Sequence, residues 1–259
     1  MKISCHIHKL YTHLRNEIEA IPSRFDNEGD VIYNIRNCIK KINVAGEVWN
    51  VKSFKKPIPV NSFIYRYCRK TKAERSYKNA VRLLNLNIST PQPIAYIIEK
   101  NLLGIHRSYY ISQQIAYDHT LGDLFRKPPQ DAPHIIGECI KYINSFHRKG
   151  VYFLDLSVGN ILIKRQADGG FTFYLIDLNR AKFYNRPLTC SESVKAFCRL
   201  DTTTEQKEDI LRQYASVSGF DYEDVIHHYN QHKEDDFRRR KMKKYHLKRL
   251  RETFSHKRK

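Results

Sequence analysis

Asp155-Leu156-Ser157-Val158-Gly159-Asn160 runs directly into the apolar Ile161-Leu162-Ile163. After the turn Ala167-Asp168-Gly169-Gly170, a second apolar run, Phe171 to Ile176, ends at Asp177-Leu178-Asn179. Asp-Gly between two such runs is a strong hairpin signal. In an antiparallel hairpin the residue entering the first strand lies beside the residue leaving the second, so Asn160 and Asp177 are expected at one open end. Two oxygen donors there suit a hard divalent cation such as Mg2+. Asp155 falls on the loop leading into that end, where a carboxylate can accept a proton from an attacking hydroxyl.

The spacing of Asp155 and Asn160 is a weak signal alone, because both residue types are common in turns. The hairpin and the third Asp give it context. Ahead of it, Ile136, Cys139, Ile140, Ile143, Phe146 and His147 follow helical spacing, with Pro133 near the start and Gly150 just past the end, so a helix delivers the chain to the loop. Further upstream, Val48 to Phe54 reads as a strand, preceded by a turn at Ala45-Gly46-Glu47 and an earlier strand near Cys38 to Val44. Asn50 and Lys52 then share one face. A strand lysine looking into a cleft holds nucleotide phosphates as a point charge, and a carboxylate usually positions it. Glu74 is the candidate partner. It lies in a helix expected over Thr71 to Leu84, beside a stripe of Ala73, Tyr77, Ala80, Val81 and Leu84.

In this order (Lys, Glu, Asp, Asn, Asp) the chain resembles the protein-kinase-like superfamily, and more narrowly the bacterial lipopolysaccharide kinase family that phosphorylates Kdo or heptose in the inner core. The residues that carry the resemblance are Asn50-Val51-Lys52-Ser53-Phe54, Lys72 to Tyr77, Thr90 to Tyr96, Ser108 to Ser112, Asp155 to Leu162 and Leu175 to Arg180. The resemblance implies an α+β, bilobal protein-kinase-like fold: an antiparallel N-lobe sheet with one main helix (1–113), a hinge (114–118) that adenine would lie against, a mostly helical C-lobe (119–236) and a basic C-terminal tail or helix (237–259). It implies ATP and Mg2+ as cofactors, Asp155 as catalytic base, Asn160 and Asp177 as metal ligands, Lys52 as the phosphate-binding lysine and Glu74 as its ion-pair partner. Arg180, after the Asp-Leu-Asn turn, is a candidate for a substrate carboxylate or phosphate, with a structural ion pair as the alternative.

Several departures from the protein-kinase pattern stand out. Phe153-Leu154-Asp155 replaces His-Arg-Asp, so the arginine that reads a phosphorylated activation loop is missing. Asp177-Leu178-Asn179 replaces Asp-Phe-Gly, and no Ala-Pro-Glu follows between Ala181 and Leu200, which argues against a peptide platform. Only Gly29 and Gly46 precede Lys52, so no G-x-G-x-x-G loop covers the phosphates, and Tyr33-Asn34-Ile35-Arg36-Asn37 is the candidate replacement.

The chain has 259 residues, 41% of them hydrophobic, enough for one enzyme-sized bilobal unit. Its six cysteines (Cys5, Cys38, Cys68, Cys139, Cys190, Cys198) form no C-x-x-C pair and read as reduced, mostly buried thiols. Cys5-His6-Ile7-His8 lacks a second ligand pair and is assigned no zinc. Met1 to His6 shows no signal-peptide core, and nowhere do about 18 apolar residues run together, so a cytoplasmic protein is expected. Of the net charge of +19, +11 falls between Phe237 and Lys259, with 12 Lys or Arg against Glu252. Leu247, Leu250 and Phe254 share a helical face there, so the tail reads as a basic, weakly amphipathic helix. It suits peripheral contact with an anionic inner membrane carrying an anionic glycolipid substrate. Nucleic acid is the competing polyanion and ranks behind, because the resemblance points to glycolipid. Two other readings stay open: a phosphotransferase acting on a soluble small molecule or a protein serine, and an inactive scaffold. The residues specify no oligomeric state.

Overall fold

Apolar residues alternate with polar ones along 37–54, as expected of strands that bury one face. The computed structural model describes residues 2–35, 37–54, 70–101 and 104–256, the side chains of 240, 243, 244 and 247–256 excepted. The chain divides into two compact units, one of Met1–Ala132 with Val158–Lys182 and one of Pro133–Ser157 with Phe183–Lys259.

The first unit is built on strands β1 (Lys2–Ile7), β2 (Asp30–Asn34), β3 (Asn37–Val44), β4 (Glu47–Phe54), β5 (Pro93–Asn101) and β6 (Gly104–Gln113). They form one antiparallel sheet in the order β1-β5-β6-β4-β3-β2. Between β3 and β4, Ala45 (φ 48°) and Gly46 (φ 85°) both turn left-handed, as a two-residue hairpin turn requires. Helices α1 (Arg15–Glu19) and α2 (Ile21–Arg24) lie on one face. There Ile18, Ile21 and Phe25 join Ile42, Val44, Trp49, Val51, Tyr109 and Ile111 in one core, each of these at most 2% exposed.

Helix α3 (Lys72–Asn85) is capped by Thr71, whose hydroxyl accepts the Glu74 N–H at 3.0 Å. Its buried stripe is Ala73, Ser76, Tyr77, Ala80 and Leu83, so Val81 and Leu84 of the expected stripe sit at its margin. A smaller sheet follows: β7 (His119–Thr120), which leads into the short helix α4 (Asp123–Arg126), pairs with β9 (Ile161–Arg165), which pairs with β10 (Phe171–Leu175). The β9–β10 hairpin turns through Gly169 at φ 86°, its N–H donating to Gln166 O at 3.1 Å. The segment expected as a hinge lies within this unit, and Asp118 N–H donates to Ile163 O at 2.9 Å. Among the described residues, His6 of the Cys5-to-His8 stretch stacks on Tyr96 at 5.2 Å, and His8 caps the turn that follows.

The second unit contains α5 (Ala132–Arg148), from Pro133 on, then strand β8 (Val151–Tyr152) and helices α6 (Cys190–Phe197), α7 (Thr204–Ser218) and α8 (Tyr222–His256). Gly150 ends the turn after α5 at φ 73°. A Cβ there would stand 2.3 Å from Tyr184 O, so only glycine fits. Thr189–Glu192 and Thr203–Gln206 form capping boxes that start α6 and α7. His147 is buried beside Phe146, Phe197 and Tyr214, its Nδ1 2.8 Å from the Tyr214 hydroxyl, and burial drops its pKa to about 3. The basic run from Phe237 continues α8 as helix as far as His256. The apolar face expected from Leu247, Leu250 and Phe254 lies outside the described side chains. Among the described residues no helix is long and apolar enough to cross a membrane.

Candidate active site

The face of the large sheet opposite the core carries Asn50 and Lys52 of β4, and these line a cavity of about 470 Å³ within the first unit. That size lies in the range of small-molecule sites. Asn160 and Asp177 line the same cavity. The hairpin brings them together: Ile161 pairs with Leu175, and Ile176 N–H donates to Asn160 O at 3.0 Å.

Asp177 holds φ 59° and ψ 51°, a left-handed conformation that costs a non-glycine residue of order 1–2 kcal/mol. The surroundings hold it there. Its Oδ1 accepts Lys52 Nζ at 2.9 Å and Asn179 Nδ2 at 2.7 Å. Asn79 of α3 donates to Leu178 O at 2.7 Å, and Thr90 Oγ1 donates to Leu175 O at 2.7 Å. Backbone strain maintained in this way is typical of functional positions.

Lys52 and Glu74 are not paired. Lys52 bonds Asp177, while Glu74 Oε1 accepts Lys78 Nζ at 2.7 Å one turn along its helix. The reason lies in the helical phase. At 100° per residue, Glu74 stands roughly 125° from the centre of the observed stripe, against roughly 75° from the one expected. That flank meets β5: burial, and next the Glu74 carboxylate, push the Tyr96 phenol up. The other flank supplies Ser76 to the cavity and Asn79 to the Asp177 turn.

Two other predicted site residues lie outside the cavity lining. Arg180 is exposed on the short turn after Asp177. Asp155 belongs to the second unit, in a loop where Ser157 N–H donates to Asp155 O at 2.6 Å and where Phe153 and Leu156 are buried.

At the other end of the cavity, Asn50 Nδ2 donates to Gln114 Oε1 at 2.8 Å, and Gln114 Nε2 donates to Ile115 O at 3.0 Å. Gln113, Gln114, Ile115 and Tyr117 all line this end. Tyr110, also lining, has its phenol pushed up by burial. Sequence reasoning missed Asn79 and gave no role to the side chains of Thr90, within the stretch that carries the resemblance, or Gln114, the first residue of the expected hinge. Each is a polar side chain bonded to a backbone carbonyl, and only the Thr90-Pro91 turn offers a local signal.

The sequence matches the lipopolysaccharide kinase (Kdo/WaaP) family over residues 33–229. The chain belongs to that family. Its chemistry is therefore phosphoryl transfer, and Lys52, Asn160 and Asp177 all fall inside the matched span. No curated protein sequence matches the chain. Among solved structures, WaaP in complex with acyl carrier protein is 17% identical, over 94% of this chain and 99% of that one, with a TM-score of 0.58, and shares the fold. The Rio2 kinase of Chaetomium thermophilum, solved as an ADP/Mg2+-phosphoaspartate complex, is 15% identical over 84% of this chain and 75% of that one, with a TM-score of 0.46.

Proposed function

We propose that the chain transfers the γ-phosphate of ATP, with Mg2+, to a sugar hydroxyl, of Kdo or heptose, in the lipopolysaccharide inner core or its lipid A precursor, at the cytoplasmic face of the inner membrane. The observation that carries this reading is the convergence of Lys52, Asn160 and Asp177 on one cavity, in a member of this family. One amide and one carboxylate fit Mg2+, which takes few protein ligands and completes its shell with water and phosphate oxygens. When bound, the cation neutralises charge on the phosphoryl oxygens. Among the described residues no cluster of three or more His, Cys, Asp or Glu offers a richer metal site.

Lys52, 12% exposed in its side chain, needs only to share its ammonium between Asp177 and a phosphate oxygen to hold the triphosphate. The connector end of the cavity, with the Asn50–Gln114 amide pair, takes the base. Asp155, by its place in the motif, orients the sugar hydroxyl and takes its proton. The hydroxyl oxygen bonds to the γ-phosphorus, the bond to the β–γ bridging oxygen breaks, and ADP leaves. Positioning and charge stabilisation supply most of the rate. Peripheral attachment follows from the basic half of α8, each basic residue near an anionic surface contributing about 1 kcal/mol. WaaP was solved with acyl carrier protein, so a protein partner is the competing occupant of that helix.

The test is transfer of γ-labelled phosphate from Mg-ATP to Kdo-lipid A, beside a heptose-containing core acceptor, with Asp177→Ala as control. Label on one acceptor that vanishes in the control identifies the sugar. ATP binding without label on either moves the acceptor to a soluble small molecule or a protein serine, and no ATP binding leaves the scaffold reading.

A further inference from the structure

No glycine-rich loop precedes Lys52, so at the phosphate end of the proposed site other groups must meet the phosphates. The sheet register shows what stands there. Residues directly opposite on antiparallel strands point to the same face. His6, Tyr96, Tyr110, Lys52, Ile39 and Tyr33 are successive partners, one per strand, and form a single transverse row across the sheet. With strands about 4.8 Å apart, Tyr33 stands about 10 Å from Lys52, in the same row and on the same side. The base end lies the other way: Asn50 pairs with Ser112 and Trp49 with Gln113, the last residue of β6.

Regular alternation along β2 would send Ile32 and Tyr33 to opposite faces. A register shift between Val31 and Tyr33 breaks that alternation. Ile32 and Tyr33 consequently both line the nucleotide cavity, while Val31 and Asn34 line a hollow on the opposite face. Such bulges re-aim side chains beside functional sites. Asn37, two residues before Ile39 on the other arm of the hairpin, also lines the cavity. Core packing does not account for these positions: β2 is exposed along its whole length, with Ile32 47% and Tyr33 40% exposed.

We infer that the β2–β3 hairpin is the phosphate cover, with side chains in place of glycine backbone. The Tyr33 hydroxyl and the Asn37 amide donate to the polyphosphate oxygens, and Ile32 screens them from water. Hydrogen bonds to charged oxygens are the stronger class, so two neutral donors add to the hold of the single Lys52 charge. The bulge matters because it turns two adjacent residues, a donor and an apolar screen, to one side of one strand. This inference rests on the proposed nucleotide reading.

The experiment is calorimetric titration of Mg-ATP and, separately, of adenosine into the wild type, Tyr33→Phe, Asn37→Ala and the double variant. Both side chains lie outside the core, so unchanged melting temperatures are expected and serve as the folding control. Each single variant should bind Mg-ATP about tenfold more weakly, as expected for one lost bond to a charged group, and adenosine as the wild type does. Variants that bind Mg-ATP like the wild type would overturn the inference while leaving the nucleotide site standing. Equal losses for adenosine and Mg-ATP would also overturn it, by moving Tyr33 to the base. A wild type that binds neither compound removes the nucleotide reading itself.

Discussion

The two faces of the six-stranded sheet come from the same strands and serve opposite purposes. One presents Ile42, Val44, Trp49, Val51, Tyr109 and Ile111 to α1 and α2 and is sealed from water. The other presents Tyr33, Ile39, Asn50, Lys52, Tyr110 and Ser112 to a cavity. Alternation with a period of two separates core packing from cavity lining along each strand, so adjacent residues such as Val51 and Lys52 carry different burdens. The bulge at β2 departs from that rule and turns both Ile32 and Tyr33 to the cavity.

The sharpest test of this division is Trp49→Ala, on the sealed face. It should cost about 3–5 kcal/mol of stability, measured by urea unfolding, while molecules that remain folded keep their nucleotide affinity. A loss below about 1 kcal/mol would show that the face is not a packed core. Lys52→Ala, on the cavity face, should lower kcat/KM by about 10²-fold or more with little change in the urea midpoint. A comparable loss of stability would break the separation.

The second unit allows a related test, since it places a titratable group in its core. The folded pKa of His147, about 3, lies below the ordinary value of 6.5, so the unfolded chain takes the proton first. Stability is therefore fully present above pH 6.5 and is lost as the pH falls toward about 3. Urea midpoints of wild type and His147→Gln should converge on acidification, and parallel pH profiles would show that His147 is not sealed. The smallest effect is expected at Glu74. Glu74→Ala removes a helix-surface pair with Lys78, worth about 0.5 kcal/mol or less, and a charge near the Tyr96 phenol, and should leave turnover near that of wild type. A large fall in kcat would mean that Glu74 reaches Lys52 during the reaction.

Local chemistry made much of this legible in sequence. The β9–β10 hairpin follows from Asp168-Gly169, the β3–β4 turn from Ala45-Gly46, and α5 from the spacing that ends at Gly150. The pairing of Lys52 with Asp177, 125 residues apart, is set by how strands and hairpin pack, and no local pattern encodes it. The phase of α3 differed for a simple reason. Ser76 and Leu83, rather than Val81 and Leu84, face inward, because the cavity on one side of the helix accepts a small polar residue. A one-residue bulge is hidden in the same way: Val31-Ile32-Tyr33 reads as an ordinary strand until its partners are known.

The most direct test of the central claim, that the cavity face is a nucleotide site built on Lys52 and Asp177, is the melting temperature of wild type and Asp177→Ala with and without Mg-ATP. At about 100 times its dissociation constant, a nucleotide that binds only the folded chain adds about 2.7 kcal/mol of stability. The account predicts a clear upward shift for the wild type that is lost or strongly reduced in Asp177→Ala. No shift in the wild type, or an equal shift in both proteins, would contradict it.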